Sequence, residues 1–364
     1  MNSEKIWSTE TEIAAQPAIW REWSNELGRT AMAIREWIEA RRPDVIWLCG
    51  AGTSAFIGDV LALHLECHAA GMSVRAVPTT DLVARPHDFL RPDLRPLVVS
   101  FGRSGNSSES VGTLDLLDKL CPAADRLNIT CNAKSVLATR RGAGPGQTRT
   151  ILLPEACHDR GFAMTSSFTT MLLTALACFS VLSTDETEAR LERLAAAADT
   201  FLQSPLDLPL PERVIFLGSG PLNGMARESA LKVLELTAGR IVTSWDSALG
   251  FRHGPKAVTN ERSTVIVFLS NDVPARSYDI DLVAEIRAQF PETRTITVGC
   301  ASEDGVRPDI AFDGLRDDAW NVAAYVLVAQ RLAVAWSKAL DLNVDDPFSG
   351  RNLTRVVTNV RLHV

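Results

Sequence analysis

A strand-and-glycine pattern that occurs twice, 168 residues apart, constrains the fold of this chain more than any other feature. Residues 45–52 read VIWLCGAG, and residues 213–220 read RVIFLGSG. Apolar runs at residues 97–100 and 127–130 have counterparts at the same spacing. Because three pairs of strand-like segments share one offset, the sequence predicts a duplicated α/β unit.

The apolar runs are continuous and do not alternate with polar residues, which is typical of parallel strands buried on both faces. Helical patterns lie between them, as parallel connections require. The fold class is therefore α/β, with two tandem doubly wound parallel sheets in three layers. The predicted boundaries are a helical lead-in at 1–44, a first unit at 45–201, a second unit at 212–346 after a Pro-containing linker, and a tail at 347–364 that returns across a site.

Charge and composition exclude several classes of protein. The net charge is −7 and there is no Lys/Arg-rich run, so a nucleic-acid partner is disfavoured. Residues 161–184 carry no charge, but the segment is rich in Ser and Thr and its apolar part is too short to span a membrane, which favours a buried helix. The seven cysteines form no Cys-x-x-Cys pair and are predicted to be small buried residues in a reducing compartment. With charges in residues 1–5 instead of a signal peptide, we expect a cytoplasmic protein.

Two loops rich in glycine and hydroxyl groups follow strands of the first unit. They are GAGTS at residues 50–54 and SFGRSGNSSES at residues 100–110. Ligands of open α/β sheets bind outside the carboxyl ends of the strands, where glycines and helix N-termini accept anions. The full Gly-x-Gly-x-x-Gly fingerprint is missing, so a phosphate monoester fits better than a dinucleotide. Helix capping and turn formation alone remain an alternative explanation for each loop.

These residues carry a resemblance to a known family. The motifs GAGTS at 50–54 and SGNS at 104–107, together with the double unit, resemble the SIS (sugar isomerase) fold, which binds phosphosugars. The segments TEIAAQP at 11–17, DRGFAMTSSF at 159–168 and FRHGP at 251–255 are similar to the AgaS branch of that family. Its members are described as tagatose-6-phosphate ketose/aldose isomerases or galactosamine-6-phosphate deaminases. The resemblance covers nearly the whole chain.

The resemblance implies a set of ligands for the substrate. The predicted phosphate ligands lie in the two loops and are Gly52, Thr53, Ser54, Arg103, Ser104 and Ser107. Glucosamine-6-phosphate synthase, another SIS enzyme, has a serine where this chain has Gly102, and the guanidinium of Arg103 is expected to compensate for the lost hydroxyl. Thr165 and Ser166 are predicted partners of the sugar hydroxyls, although a helix N-cap explains them equally well.

A helix of the second unit carries Glu228, Lys232 and Glu235 at positions i, i+4 and i+7, which places them on one face. By themselves they fit either a solvated ion-paired face or a half-buried carboxylate. The resemblance implies that Glu235 is the general base between C1 and C2 of the sugar, oriented by Glu228 and Lys232. It implies that His253 opens the sugar ring from a neighbouring subunit, which requires a homodimer. Arg355 stands where the synthase has a C-terminal lysine, and its role is limited to electrostatic stabilisation.

The predicted function is conversion of an amino-sugar 6-phosphate to a ketose 6-phosphate and ammonia, without metal or cofactor. A small-molecule sugar phosphate is the expected partner. Three alternatives stay open: simple aldose–ketose isomerisation, a deglycase acting on a phosphorylated sugar–amine adduct, and a non-catalytic phosphosugar-binding or sensing protein. The last would be expected to lack Glu235 or His253, and both are present.

Overall fold

The computed structural model describes residues 6–67, 72–302, 304–349 and 353–363. These residues form two five-stranded sheets in which every pairing of neighbouring strands is parallel. The strands of the first sheet are β1 (Val45–Cys49), β2 (Ser73–Ala76), β3 (Pro96–Gly102), β4 (Asp125–Thr130) and β5 (Thr148–Leu152). Those of the second sheet are β6 (Arg213–Gly218), β7 (Val242–Asp246), β8 (Ser263–Phe268), β9 (Arg294–Cys300) and β10 (Ile310–Phe312).

Helices alternate with these strands, as the sequence predicts for a doubly wound fold. In the first half of the chain they are α1 (Ser8–Arg41), α2 (Thr53–Glu66), α3 (Thr79–Ala84), α4 (Pro86–Phe89), α5 (Ser108–Leu120), α6 (Val136–Thr139) and α7 (Ser166–Phe179). In the second half they are α8 (Thr184–Gln203), α9 (Pro221–Leu236), α10 (Ala248–Phe251), α11 (Val273–Gln289) and α12 (Asp318–Ala339). Short 3-10 turns lie at Glu155–Cys157 and Pro255–Val258. The predicted α/β class is confirmed.

The two sheets have the same strand order. The first runs β2-β1-β3-β4-β5, and the second, read from its other end, runs β7-β6-β8-β9-β10. The strand order therefore reverses between β1 and β3 in the first sheet and between β6 and β8 in the second. Open α/β sheets place their ligands at such a switch point. In the first sheet, Cys49 of β1 pairs with Ser100 of β3, so the loops that follow these two strands begin side by side.

The chain divides into two compact units, one around each sheet. The first-sheet unit comprises Glu22–His158, Ser166–Glu188 and Thr354–Val364, and the second-sheet unit comprises Met1–Arg21, Asp159–Thr165 and Ala189–Leu353. This division differs from the predicted boundaries, because α1 is not a separate lead-in. Its start belongs to the second-sheet unit, where Gln16 Nε2 donates to Gln330 Oε1 of α12 at 2.7 Å. Its remainder belongs to the first-sheet unit, where Trp23 Nε1 donates to Thr174 Oγ1 of α7 at 3.0 Å.

The uncharged segment forms a buried helix, as predicted. Residues Ser166 to Cys178 of α7 are all buried. Within the described part of the chain, no helix has both the length and the apolar character needed to cross a membrane. All seven cysteines are free thiols. Six are buried as expected, but the prediction is wrong for Cys67, which is exposed just after the end of α2.

Candidate active-site residues

The loop after β1 has a backbone that only glycine suits. A Cβ at Gly50 would lie 2.4 Å from the carbonyl carbon of Ser54, and Gly52 adopts φ +56°. Apart from its neighbours in the chain, no atom of the described residues lies within 4 Å of the position that a Cβ would take at Gly52, so the space beside this residue is open. Thr53 and Ser54 then begin α2. The loop presents a helix N-terminus flanked by small and hydroxyl side chains, which suits an anion.

The loop after β3 is held by hydrogen bonds within the first-sheet unit. Gly105 adopts φ +62° and its carbonyl accepts from Leu137 N at 3.1 Å, while Asn132 Nδ2 donates to Ser104 O at 3.0 Å. Ser107 is the N-cap residue of α5, and its Oγ lies 2.8 Å from Ser110 Oγ. Its hydroxyl caps no backbone amide of α5, so capping does not account for this residue. Hydrogen bonds therefore hold the predicted phosphate loop in one conformation, and Ser104 and Ser107 are only partly buried in it.

The C-terminal tail contacts this second loop. The buried Arg103 donates through Nη2 to the carbonyl of Arg355 at 3.1 Å, and Ser108 N donates to the carbonyl of Val357 at 3.2 Å. Val360 N in turn donates to Ser108 Oγ at 3.2 Å. Main-chain carbonyls of the tail therefore accept from a guanidinium and from a helix N-terminal amide, two kinds of donor that also bind phosphate. Arg355 contributes its carbonyl here, and its side chain is exposed.

Glu228, Lys232 and Glu235 share one face of α9, as their spacing predicts. The Glu228 and Lys232 side chains have no exposed surface, whereas 23% of the Glu235 side chain is exposed. Lys232 Nζ lies 2.6 Å from Glu235 Oε2 and 3.4 Å from Glu228 Oε1. The solvated-face interpretation is thus wrong for two of the three residues. A buried ammonium between two carboxylates fixes where the partly exposed carboxylate points.

Glu235 lies at the amino edge of the second sheet. It is the penultimate residue of α9, which returns from the end of β6 toward Val242, and Val242 pairs with the first residue of β6. General rules of α/β sheets place ligands at the other edge. Those rules alone do not predict a role for this carboxylate, and its predicted role rests on the family resemblance.

An internal polar network closes the carboxyl edge of the second sheet. The Asp279 carboxylate of α11 accepts from Ser219 Oγ at 2.9 Å and from Ser270 N at 3.0 Å. Asn271 N and Nδ2 both donate to Asp318 Oδ1 at 2.8 Å. Burial raises the pKa of the Asp279 carboxyl to about 6, and burial also raises the pKa of Asp318.

Asp279 is not among the residues predicted from the sequence, although its spacing held a signal. It lies at helical spacing from the buried Arg276, Leu282, Val283 and Ile286 of α11. An acidic residue on the core side of an amphipathic helix indicates a buried network.

Thr165 and His253 have different surroundings. The hydroxyl and the amide of Thr165 both donate to Asp159, at 2.7 and 2.9 Å, so its hydroxyl could only accept from a sugar. Ser166, the first residue of α7, is fully buried. His253 is exposed, and Arg252 before it and Lys256 three residues after it both donate to Glu285. Within the described residues its ring makes no hydrogen bond to Lys232 or Glu235.

This fold and these loops define a protein of the SIS domain class, and the SIS domain family matches residues 41–181. The AgaS protein of Streptomyces coelicolor is 45% identical, and the alignment covers 98% of this chain and 95% of the relative. The D-galactosamine-6-phosphate deaminase AgaS of Escherichia coli is 38% identical over 98% of this chain and 95% of its own. The crystal structure of tagatose-6-phosphate ketose/aldose isomerase from Escherichia coli superposes with a TM-score of 0.88 at 37% identity, covering 98% of this chain and 96% of that one. This chain belongs to the AgaS family.

Proposed function

We propose that this chain is a phosphosugar isomerase/deaminase that converts galactosamine 6-phosphate, or a closely similar amino-sugar 6-phosphate, to the ketose 6-phosphate and ammonia. The observation that carries the proposal is the cluster on α9, where the buried Lys232 holds the partly exposed Glu235 at 2.6 Å. A positioned carboxylate with one free oxygen is what proton transfer between two carbon atoms requires. The full-length similarity to AgaS deaminases supports the choice of substrate.

The phosphate is bound by the two loops of the first-sheet unit. Gly52, Thr53 and Ser54 offer the N-terminus of α2, and the loop after β3 offers the hydroxyls of Ser104 and Ser107. These assignments are supported by the open space beside Gly52 and by the partial exposure of Ser104 and Ser107. Arg103 completes the set as a guanidinium that can pair with two phosphate oxygens.

Glu235 carries the proton. In the open-chain amino sugar it takes the proton from C2 and returns it to C1, so that an enolamine becomes a ketimine at C2. Addition of water to the ketimine then releases ammonia and leaves the ketose phosphate. Lys232 donates to one oxygen of Glu235 and leaves the other for the substrate, so Lys232 and Glu228 are positioning residues. With a hydroxyl at C2, the same transfer is aldose–ketose isomerisation.

The remaining predicted residues complete the site. His253 opens the sugar ring and comes from the neighbouring subunit of a homodimer, which agrees with its exposure in a single chain. Arg355 stabilises charge electrostatically, since an arginine does not shuttle protons. Thr165 and Ser166 are the proposed partners of the sugar hydroxyls, and because both are fully buried in the single chain, substrate binding must expose them. The protein works in the cytoplasm, which the seven free thiols support.

Ammonia release from three substrates tests the proposal. We expect the purified enzyme to release ammonia from galactosamine 6-phosphate at least about tenfold faster, in kcat/KM, than from glucosamine 6-phosphate or fructosamine 6-phosphate. A preference for fructosamine 6-phosphate would establish a deglycase instead. No ammonia from any of the three, together with no interconversion of tagatose 6-phosphate with its aldose, would refute the proposed activity.

A further inference from the structure

A second concave site lies in the first-sheet unit, away from the phosphate loops. It is a cavity of about 460 Å³ over one face of β1 and β2, bounded on the other side by α4 and the residues that follow it. Val45 and Ser73, the first residues of their strands, line it, so it opens at the amino edge of the sheet. The loops at residues 50–54 and 103–107 follow the carboxyl ends of strands of the same sheet. The volume is within the range of small-molecule sites, about 300–1,000 Å³.

Basic side chains line this cavity. Arg75, Arg91 and His87 line it, and none of the ion pairs among the described residues uses them. Asp88 is the one acidic residue among those that line it, and it is already paired with Arg85. Two guanidiniums and an imidazole with no acidic partner form a site for an anion, and guanidiniums pair particularly well with phosphate oxygens.

The wall of the cavity is aromatic. Trp47 and Arg75 are register partners on β1 and β2, so their side chains lie on one face of the sheet. The Phe89 ring stands edge-on to Trp47, with 6.4 Å between ring centroids, and the Arg75 guanidinium lies 5.9 Å from the Phe89 centroid. Such a surface suits a planar or cyclic group next to the anion.

Trp47 also has an unsatisfied hydrogen-bond donor. Only 1% of Trp47 is exposed, and its Nε1 has no acceptor among the described residues. A buried donor left unpaired costs about 1–3 kcal/mol, which is why such groups are rare in folded proteins. Trp47 lines the cavity, so its ring borders the space that a ligand would occupy.

From these observations we propose that the cavity is a second ligand site, for a small molecule with a phosphomonoester attached to a ring that bears a hydrogen-bond acceptor. Arg75 and Arg91 bind the phosphate, Phe89 packs against the ring, and Trp47 Nε1 donates to its acceptor. The site is separate from the proposed substrate loops of the same unit. A nucleoside monophosphate and a sugar phosphate share this chemistry, and the experiment separates them.

Isothermal titration with three probes tests the site. The probes are adenosine 5′-monophosphate, galactosamine 6-phosphate and inorganic phosphate, each titrated into a full-length Ser54→Ala/Ser104→Ala variant in which the substrate loops are weakened. We expect at least one ring-bearing phosphate to bind about tenfold more tightly than inorganic phosphate. The probe that binds more tightly shows whether the ligand is a nucleoside monophosphate or a sugar phosphate. Arg75→Met and Arg91→Met should each weaken that binding about tenfold, and Trp47→Phe, which keeps an aromatic ring, several-fold.

The matched control is Arg95→Met, which removes the same charge four residues from Arg91. Arg95 is paired with Asp44 and does not line the cavity, so binding should change less than twofold. The proposal is overturned if neither ring-bearing phosphate binds below 1 mM, or if inorganic phosphate binds equally well. A loss of binding in Arg95→Met as large as that in Arg75→Met or Arg91→Met would also overturn the proposal. Because ammonia release is not the readout, failure here leaves the proposed activity untouched.

Discussion

Lys232 Nζ lies 2.6 Å from Oε2 of Glu235, and this contact joins a fully buried ammonium to a carboxylate with 23% of its side chain exposed. Burying a lysine is costly unless carboxylates surround it, and Glu228 supplies a second one at 3.4 Å. The same pairing that compensates the buried charge also restricts the rotamers of Glu235. The contact between Lys232 and Glu235 therefore contributes both to the stability of the fold and to the position of the Glu235 carboxylate. Different variants test the two contributions.

Removing the acid from Glu235 should abolish catalysis while leaving the fold intact. Glu235→Gln keeps the shape and one acceptor oxygen but cannot take a proton, so we expect kcat to fall by about 10²–10⁴-fold with KM within about threefold. Ammonia release and exchange of the C2 proton into deuterated water measure it. Glu261→Gln, at an exposed glutamate, is the control. Full activity in Glu235→Gln would refute its role as base.

Removing the buried ammonium should lower the stability of the fold. Lys232→Met leaves the buried Glu228 carboxylate without the cation beside it, and we expect the free energy of unfolding to fall by about 3–5 kcal/mol. Adding Glu228→Gln should restore at least about half of that loss, because the orphaned charge is then removed. Urea denaturation of the two single variants and the double variant measures both effects. A Lys232→Met protein within about 1 kcal/mol of the wild type would contradict the coupling.

Asp279 should make stability depend on pH. Its pKa of about 6 in the folded chain is above the ordinary 3.8, so its contribution is fully present below pH 3.8 and is lost as the pH rises through 6. We expect Asp279→Asn to match the wild type near pH 3.5 and to be more stable at pH 7.5, by at most about 3 kcal/mol. An asparagine can still accept from Ser270 N and donate to Ser219 Oγ.

Denaturation at four pH values between 3.5 and 7.5 checks this expectation. Asp281→Asn is the control, since Asp281 is exposed on the same helix. Asp318, which is also buried with a raised pKa, and Arg276 face the same network. The quantity to compare is therefore the difference in unfolding free energy between Asp279→Asn and Asp281→Asn at each pH. Parallel pH profiles for Asp279→Asn and the wild type would show that Asp279 does not titrate in this range.

Cys67 should be the fast-reacting thiol of the folded protein. It is exposed, whereas burial raises the pKa of Cys49 and of Cys178 to about 12 and the other four thiols are also buried. An aromatic disulfide reagent should therefore titrate one thiol per chain quickly, and all seven after unfolding. Cys67→Ser should abolish the fast phase. A fast phase of two or more thiols would show that a second cysteine is accessible.

The tail contacts should protect the start of α5. Deleting residues 354–364 removes the carbonyl of Val357 from Ser108 N and that of Arg355 from Arg103. We expect hydrogen exchange at the start of α5 to rise and kcat/KM to fall, because the loop loses its order. Mass-resolved exchange and the ammonia assay report the two effects. Unchanged exchange at α5 would mean that these contacts do not order the loop.

The sequence alone determined the architecture. Strands buried on both faces must be continuous apolar runs, and their repetition at one spacing requires no knowledge of tertiary contacts to be recognised. The helical period likewise places Glu228, Lys232 and Glu235 on one face whatever packs against α9. Local periodicity carries such information because it depends only on neighbours in the chain.

Tertiary structure decided burial and partners. The spacing of Glu228 and Lys232 in the sequence does not predict that both side chains are fully buried, because their burial depends on the elements packed around α9. Nor could it show that the tail's carbonyls accept from Arg103 and Ser108, or that Asp279 closes the carboxyl edge of the second sheet. These contacts join residues distant in the chain, and only the packed fold brings their atoms within hydrogen-bonding distance.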